Sequence, residues 1–219
     1  MATRSVLCFG DSNTYGQVPG IDALDRYDAI TRWPGVMGSM LGPAWYVIEE
    51  GLPGRTTVRD DPVEGKHKNG RRYLLPCVQT HAPLDLIIIM LGTNDLKARF
   101  SQPPSEVAMG IGVLVHDIRE VGAGVAGGQP EILIVAPVPT LDDMREFNNI
   151  FAGAAQKSRC LALEFEILAD SLECHFFDAG SVTTCSPRDG VHIDAEGHRR
   201  LGEALAAEVE AIGWPQRPL

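Results

Sequence analysis

The runs LDLIIIML (84–91) and EILIVAPV (131–138) indicate the fold class of this chain. Both are dominated by apolar residues and lack the alternation of apolar and polar residues that marks a half-buried strand. Continuously apolar strands of this kind are typical of parallel sheets that are covered by helices on both faces. Three further short runs predict strands, which makes five in all: SVLCF (5–9), WYVIEE (45–50) and CHFFDA (174–179).

Helical patterns alternate with these strands along the chain. Between the third and fourth strands, Val107 and Ile111 recur at helical spacing, and Gly122 offers a C-terminal stop. Asp194 is a candidate N-cap for the last helix. Strands that alternate with helices predict an α/β sandwich with a mainly parallel sheet. The helices are predicted near 33–41, 72–81, 105–122, 149–171 and 194–212.

Length and charge limit the classes of function that need to be considered. The 219 residues favour one domain that spans 1–219, since no linker or repeat divides the chain. The 19 basic and 29 acidic residues give a formal net charge of −10, whereas binding to nucleic acid or an anionic membrane would require a basic patch. No apolar run is long enough for a signal peptide or a membrane span, so the cytoplasm is the predicted location.

The cysteines and most of the histidines are predicted to take no part in disulfides or metal binding. The cysteines form no C-x-x-C pair and are expected to be mostly small core residues: Cys8, Cys77, Cys160, Cys174 and Cys185. Five histidines follow no metal-ligand pattern and are expected to be ordinary residues: His67, His81, His116, His175 and His198.

Polar motifs follow four of the five predicted strands. Because ligands bind beyond the carboxyl ends of the strands in sheets of this type, we expect these motifs to meet at one edge. The motifs, each with its candidate residues, are GDSNTYG (10–16) with Ser12, EEGLPGRTT (49–57) with Gly54, LGTNDLK (91–97) with Asn94, and SPRDGVHIDAEGH (186–198) with Asp189 and His192.

These residue types are the ones that acyl transfer to a serine requires. A serine hydroxyl becomes a good nucleophile only when an adjacent base accepts its proton, and histidine suits that task near neutral pH. We therefore predict Ser12 as the nucleophile and His192 as the base. Asp189 is the predicted acid that orients the imidazole, because a spacing of three residues can bring both side chains to one face. Asp178 is the alternative acid; it lacks this spacing and is expected to be structural.

The negative oxygen that develops during acyl transfer needs hydrogen-bond donors. The candidate donors are the backbone N–H groups of Ser12 and Gly54 and the side-chain amide of Asn94. The sequence LPGR (52–55) predicts a turn in which Gly54 takes a positive φ, which can hold its N–H toward a ligand. The residues expected to line the substrate pocket are Asn13, Lys97 and Ile193.

Two polar stretches interrupt the alternation of strands and helices. VRDDPVEGKHKNGRR (58–72) is rich in turn formers and is predicted to run over the surface. PVPTLDDMREFNN (137–149) is predicted to be a loop that lines a pocket or meets another subunit.

The motifs, taken in chain order, resemble those of the SGNH or GDSL hydrolase family, whose four lettered residues match Ser12, Gly54, Asn94 and His192. The segments LCFGDSNTYG, IEEGLPGRTT, DLIIIMLGTNDLK, FFDAGSV and DGVHID are similar to the bacterial arylesterase and acyltransferase branch. The resemblance implies a flavodoxin-like three-layer α/β/α sandwich, activity on small acyl esters, no metal or other cofactor, and assembly into homo-oligomers. One departure is Asn13, which replaces the usual leucine and can change which acyl or alcohol groups fit.

Three functions follow from these observations. The leading hypothesis is a serine esterase that hydrolyses small acetyl-type or aryl esters and can also transfer the acyl group to an alcohol. An alternative with the same mechanism is an O-acetyl carbohydrate deacetylase. A third, from another class, is a non-catalytic flavodoxin-like module that binds a ligand such as a nucleotide or flavin. That module would leave DGVH (189–192) without a purpose, and neither G-x-G-x-x-G nor G-x-x-x-x-G-K-[ST] occurs.

Overall fold

In the part of the chain that the structure describes, five parallel strands form one sheet in the order β2-β1-β3-β4-β5. The computed structural model describes residues 3–20 and 25–214. The strands are β1 (Arg4–Gly10), β2 (Trp45–Gly51), β3 (Leu86–Met90), β4 (Glu131–Ala136) and β5 (His175–Asp178). All five predicted strands are confirmed, and each pairs with its neighbours in parallel register.

Between and after the strands, the described residues form six α-helices: α1 (Ser12–Tyr15), α2 (Trp33–Leu41), α3 (Gly70–His81), α4 (Pro104–Val121), α5 (Ala154–Ser171) and α6 (Ala195–Ala211). The five predicted helices are confirmed, but α5 begins later than predicted because Gly153 adopts a φ of +77°, outside the helical region. The sequence indicates only a loop where α1 occurs. Within the described ranges, no helix is both long and apolar enough to cross a membrane.

The sheet is covered on both faces, which explains the continuously apolar runs. Alternate residues of β3 point to opposite sides of the sheet. Ile87 and Ile89 belong to the core beneath α3, α4 and α5, whereas Leu86 and Ile88 belong to the core beneath α2 and α6. Burial of each such side chain stabilises the fold by ~1.5–3 kcal/mol. The predicted three-layer α/β/α sandwich is therefore confirmed.

The strand order creates a crevice between β1 and β3 at the carboxyl edge of the sheet. From β1 the chain passes through α2 on one face to β2, and it then returns through α3 on the other face to β3. The direction of winding reverses between β1 and β3, and ligands bind at such reversals in flavodoxin-like sheets of this order. Ser12 follows β1 and Asn94 follows β3, so both residues flank the crevice.

Candidate active site

Ser12 is the first residue of α1 and lies just beyond the carboxyl end of β1. The carboxylate of Asp11 caps this short helix by accepting a hydrogen bond from the Asn13 N–H at 3.0 Å. The chain turns so tightly that a Cβ on Gly10 would lie 2.0 Å from Oγ1 of Thr14, so glycine is required there. These neighbours set the direction in which the Ser12 side chain leaves the strand.

A continuous line of hydrogen bonds joins Asp189, His192 and Ser12. Nε2 of His192 lies 3.0 Å from Oγ of Ser12, and Nδ1 of His192 lies 2.8 Å from Oδ2 of Asp189. All three side chains are buried, with 6% or less of each residue exposed. The structure therefore brings together the three residues that the sequence singles out, although Ser12 and His192 are 180 positions apart.

Hydrogen bonds from backbone N–H groups stabilise the ionised carboxylate of Asp189. Its Oδ1 accepts the N–H groups of Val191 and His192, each at 2.9 Å, and its Oδ2 accepts the Gly20 N–H at 3.0 Å. Burial alone would raise the pKa of Asp189, but the hydrogen bond and charge of His192, together with these backbone groups, hold it below its ordinary value of 3.8. An ionised Asp189 favours the tautomer with a proton on Nδ1 of His192, so Nε2 can accept the Ser12 proton.

Asp178, the alternative acid, has a different environment. Its Oδ1 accepts the Gly180 N–H at 2.8 Å, and it caps the short helical turn 179–181. The contact to His192 is made by Asp189 instead. The geometry therefore agrees with a structural role for Asp178.

The LPGR segment forms the predicted turn. The Arg55 N–H donates to the Leu52 carbonyl at 3.0 Å, and Gly54 has a φ of +79°. Proline at the second position and a positive φ at the third define a type II turn. The positive φ is what requires glycine here, because a Cβ on Gly54 would meet only the end of the flexible Glu64 side chain at 2.4 Å.

The candidate oxyanion donors converge on one cavity of about 260 Å³, which Ser12, Gly54, Asn94 and His192 all line. Nδ2 of Asn94 donates to Oδ2 of Asp11 at 3.3 Å, which fixes the amide plane and leaves its second N–H for a ligand. The Ser12 N–H belongs to the first turn of α1, where N–H groups have no partner within the helix. The three candidate donors thus belong to residues that line the same cavity.

Asn13 and Ile193, two of the residues predicted to line the pocket, are not among the residues that line this cavity. Oδ1 of Asn13 accepts the Ile193 N–H at 3.0 Å, and its Nδ2 donates to the Val191 carbonyl at 3.2 Å. The Asn13 side chain thus points away from the cavity and binds the residues on either side of His192. The Ile193 side chain is fully buried in the core beneath α2 and α6.

Lys97 does line the cavity, as part of a charged wall that the sequence only partly predicts. Its ammonium group pairs with Glu64 and lies 3.6 Å from Asp61, and Arg99 approaches Asp61 at 2.9 Å. Nζ of Lys68, another cavity residue, donates to the Pro53 carbonyl at 2.7 Å. The stretch 58–72, expected to be a surface excursion, contributes Asp61, Glu64 and Lys68 to this wall. Nothing in its composition distinguishes it from a solvated loop.

The cavity also has an apolar part, which includes Phe147, Ile150, Phe151 and Val191. The Phe147 ring meets the imidazole of His192 edge to face, with ring centroids 5.9 Å apart. Of the two roles predicted for the loop 137–149, pocket lining is confirmed by Phe147. The sequence signal for this role is an aromatic residue, Phe147, within a run of acidic and turn-forming residues.

A buried carboxylate behind the cavity ties the Gly54 turn to the Asn94 turn. Both oxygens of Asp95 accept the Thr57 N–H, at 3.1 and 3.0 Å, and Oδ1 also accepts the Thr57 hydroxyl at 2.6 Å. Burial, which outweighs these hydrogen bonds, raises the pKa of Asp95 to about 7. Burial likewise raises the pKa of Asp11 to about 6. The sequence does not reveal these contacts, because Asp95 is equally plausible on a solvated loop.

The whole chain is similar to known esterases. A family model described as the GDSL-like lipase/acylhydrolase family matches residues 8–200. Two solved structures are each 42% identical and cover 96% of this chain and 100% of their own, with a TM-score of 0.91. They are Est24, a carbohydrate acetylesterase from Sinorhizobium meliloti, and an aryl esterase from M. smegmatis.

A more distant relative is an acetylxylan esterase from Xylanibacter ruminicola. It is 22% identical in an alignment of 219 residues that includes 94% of this chain. The chain spans 43% of that relative's length.

Proposed function

The chain belongs to the GDSL-like lipase/acylhydrolase family, and from this premise we propose that it hydrolyses carboxylic esters through an acyl-enzyme formed on Ser12. The observation that supports the proposal is the line of hydrogen bonds from Asp189 through His192 to Ser12 beside the cavity. A non-catalytic binding module would give this buried line of groups no purpose.

In the first step, Oγ of Ser12 attacks the ester carbonyl carbon while its proton passes to Nε2 of His192. The carbonyl oxygen becomes negative, and it accepts hydrogen bonds from the N–H groups of Ser12 and Gly54 and from the Asn94 amide. Loss of one such donor typically raises the barrier by ~3 kcal/mol. Asp189 stabilises the imidazolium that forms on His192.

In the second step, the bond between the carbonyl carbon and the alcohol oxygen breaks, and His192 returns the proton to the departing alcohol. Water then attacks the acyl group on Ser12, with His192 again accepting the proton. A second alcohol in place of water would yield a new ester, so we include acyl transfer in the proposal. The apolar surface of Phe147 beside His192 favours an organic acceptor over bulk water at this position.

The walls of the cavity support small acyl esters as substrates. The alcohol part of an ester departs on the side of His192, where the Phe147 ring can contact an aryl group. The whole cavity measures only about 260 Å³, which favours a short acyl chain joined to a small alcohol such as an aryl alcohol.

An O-acetyl carbohydrate is the second candidate substrate. The charged wall of Glu64, Lys68 and Lys97 supports it, because these side chains can hydrogen-bond sugar hydroxyls. Both candidates use the same catalytic residues, so a panel of acetylated sugars and aryl acetates distinguishes them by kcat/KM.

The test of the proposed nucleophile is labelling by a fluorophosphonate followed by peptide mass spectrometry. We expect one adduct, on Ser12, and no adduct in the Ser12→Ala variant. The matched control is Ser181→Ala, which removes an exposed serine hydroxyl and should label like the wild type. Labelling of another residue, or unchanged turnover of nitrophenyl acetate by Ser12→Ala, would contradict the proposal.

We also propose that the chain forms homo-oligomers. Leu163 and Ile167 lie one turn apart on α5 and are 62% and 59% exposed, so a second copy would cover apolar surface by packing there. Light scattering after gel filtration tests this, with Leu163→Glu expected to weaken the assembly. A monomeric wild type would contradict it. The cytoplasmic location stays a prediction.

A further inference from the structure

A second group of reactive side chains lies outside the cavity that contains Ser12. Cys77 and His81 are four residues apart in α3, so both side chains lie on one face of the helix. Glu50 of β2 faces them, and its Oε1 lies 3.2 Å from Nε2 of His81. The carboxylate oxygen, the thiol sulfur and the ring nitrogen all lie within 4.8 Å of one another. Across residues 3–20 and 25–214, no other group of three or more such residues has this spacing.

The burial of the three residues resembles that of an accessible metal site. Cys77 is 1% exposed, whereas the side chains of Glu50 and His81 are 20% and 29% exposed. The thiol therefore forms the closed end of the group, and the carboxylate and imidazole form its open end. Glu50 also lines a cavity of about 510 Å³, which gives a path from solvent and space for a bound water.

The types of ligand atom indicate which ion would bind. Sulfur, imidazole nitrogen and one carboxylate oxygen suit Zn²⁺, whereas Ca²⁺ and Mg²⁺ prefer oxygen ligands alone. Three protein ligands leave one position of a tetrahedral zinc for water. Binding would replace the Cys77 thiol proton, which leaves to solvent, by a bond from zinc to the thiolate sulfur.

The charges around Cys77 both help and oppose a cation. The carboxylate of Glu50, whose oxygen lies within 4.8 Å of the Cys77 sulfur, favours a cation there. The positive charge of Arg55 acts on the same thiol and opposes a second cation. We therefore expect weaker binding than at a structural zinc site with four protein ligands.

We propose that Glu50, Cys77 and His81 form a binding site for Zn²⁺. The sequence alone does not predict this site. Glu50 lies on β2 and far from Cys77 and His81 in the chain, so the three residues form no recognisable metal-ligand pattern. The proposal does not depend on the esterase function, since none of its three residues lines the cavity of Ser12.

The test is a titration of the reduced full-length protein with Co²⁺, which serves as a spectroscopic substitute for zinc. We expect one equivalent of Co²⁺ to produce thiolate-to-cobalt charge-transfer absorption, and Zn²⁺ to abolish it by displacement. Cys77→Ser should remove this absorption. His81→Gln should weaken binding by at least about 100-fold.

The matched control is His175→Gln. His175 and Glu131 lie 3.1 Å apart, which is similar to the 3.2 Å between His81 and Glu50. Among the described residues, however, no third ligand atom lies within 4.8 Å of both of them. This variant should bind Co²⁺ like the wild type. No charge-transfer absorption in the wild type, or an undiminished signal in Cys77→Ser, would overturn the proposal. If Cys77→Ser fails to fold, the proposal is tested with His81→Gln instead, because His81 is partly exposed and the folding of this variant can be checked by circular dichroism. Co²⁺ binding that is not weakened in His81→Gln would then overturn the proposal.

Discussion

The side chain of Asn13 accepts a hydrogen bond from the Ile193 N–H at 3.0 Å, across 180 positions of sequence. Its amide also donates to the Val191 carbonyl at 3.2 Å. Asn13 thus adjoins the proposed nucleophile in the chain and holds both neighbours of the proposed base. A leucine, the usual residue of the GDSL motif, could make neither hydrogen bond.

We therefore predict that Asn13→Leu lowers kcat more than it changes KM. The substitution would leave the buried Ile193 N–H without a partner, at a cost of about 1–3 kcal/mol, whereas the Val191 carbonyl keeps the Cys185 thiol as a donor at 3.2 Å. Steady-state kinetics with nitrophenyl acetate, corrected for the fraction of active protein by burst titration, measures the effect. Asn13→Asp keeps an oxygen that accepts the Ile193 N–H, so its kcat should lie between those of the wild type and Asn13→Leu. A Leu variant with wild-type kcat would show that Asn13 does not position His192.

The two candidate acids can be separated by matched amide variants. Asp189→Asn should lower kcat by about 10⁴-fold, because the amide cannot impose the required tautomer on His192. Asp178→Asn keeps an oxygen for the Gly180 N–H and should change activity by no more than about twofold. The same nitrophenyl acetate assay measures both variants. Equal losses in the two would contradict the assignment of Asp189.

Asp95 should make the fold less stable as pH rises. Its pKa is about 7 in the folded chain, above the ordinary value of 3.8. Between these values the unfolded chain has lost a proton that the folded chain keeps, so the free energy of unfolding falls with increasing pH and levels off above about pH 7. Below about pH 4 both states are protonated and this contribution is constant.

Asp95→Asn removes that titration and retains an oxygen acceptor for Thr57. We predict that the variant loses less stability than the wild type between about pH 4 and about pH 7, as measured by urea unfolding at a series of pH values. Parallel curves for the two proteins would show that Asp95 does not titrate in this range.

Phe147 should determine the preference for aryl alcohols. Phe147→Ala removes the ring beside His192, and we expect kcat/KM for aryl acetates to fall by up to about tenfold, the size of a typical aromatic contact. Acetylated sugars should be affected less. Ile150→Ala, at a cavity residue that is 39% exposed, is the control for general loss of apolar surface. An equal effect of Phe147→Ala on both substrate classes would contradict a specific aryl contact.

The sequence predicts the central strands well because a strand covered on both faces is apolar at nearly every position, as in β3. It also predicts which polar residues meet, since the ends of parallel strands share one edge. The prediction from sequence fails where the role of a residue depends on the direction of its side chain. Asn13 follows Ser12 in a helix of four residues, too short for periodicity to show that the two point apart. Glu64 and Lys68 are missed because a charged residue in a polar loop is usually solvated.

The 180 positions that separate Ser12 from His192 also have a consequence during synthesis. A nascent chain on the ribosome presents the serine early, yet that hydroxyl has no base until residue 192 has emerged and docked. Partially made chains are therefore expected to be inert toward cellular esters, and hydrolytic capacity should arise only after the last loop reaches the sheet.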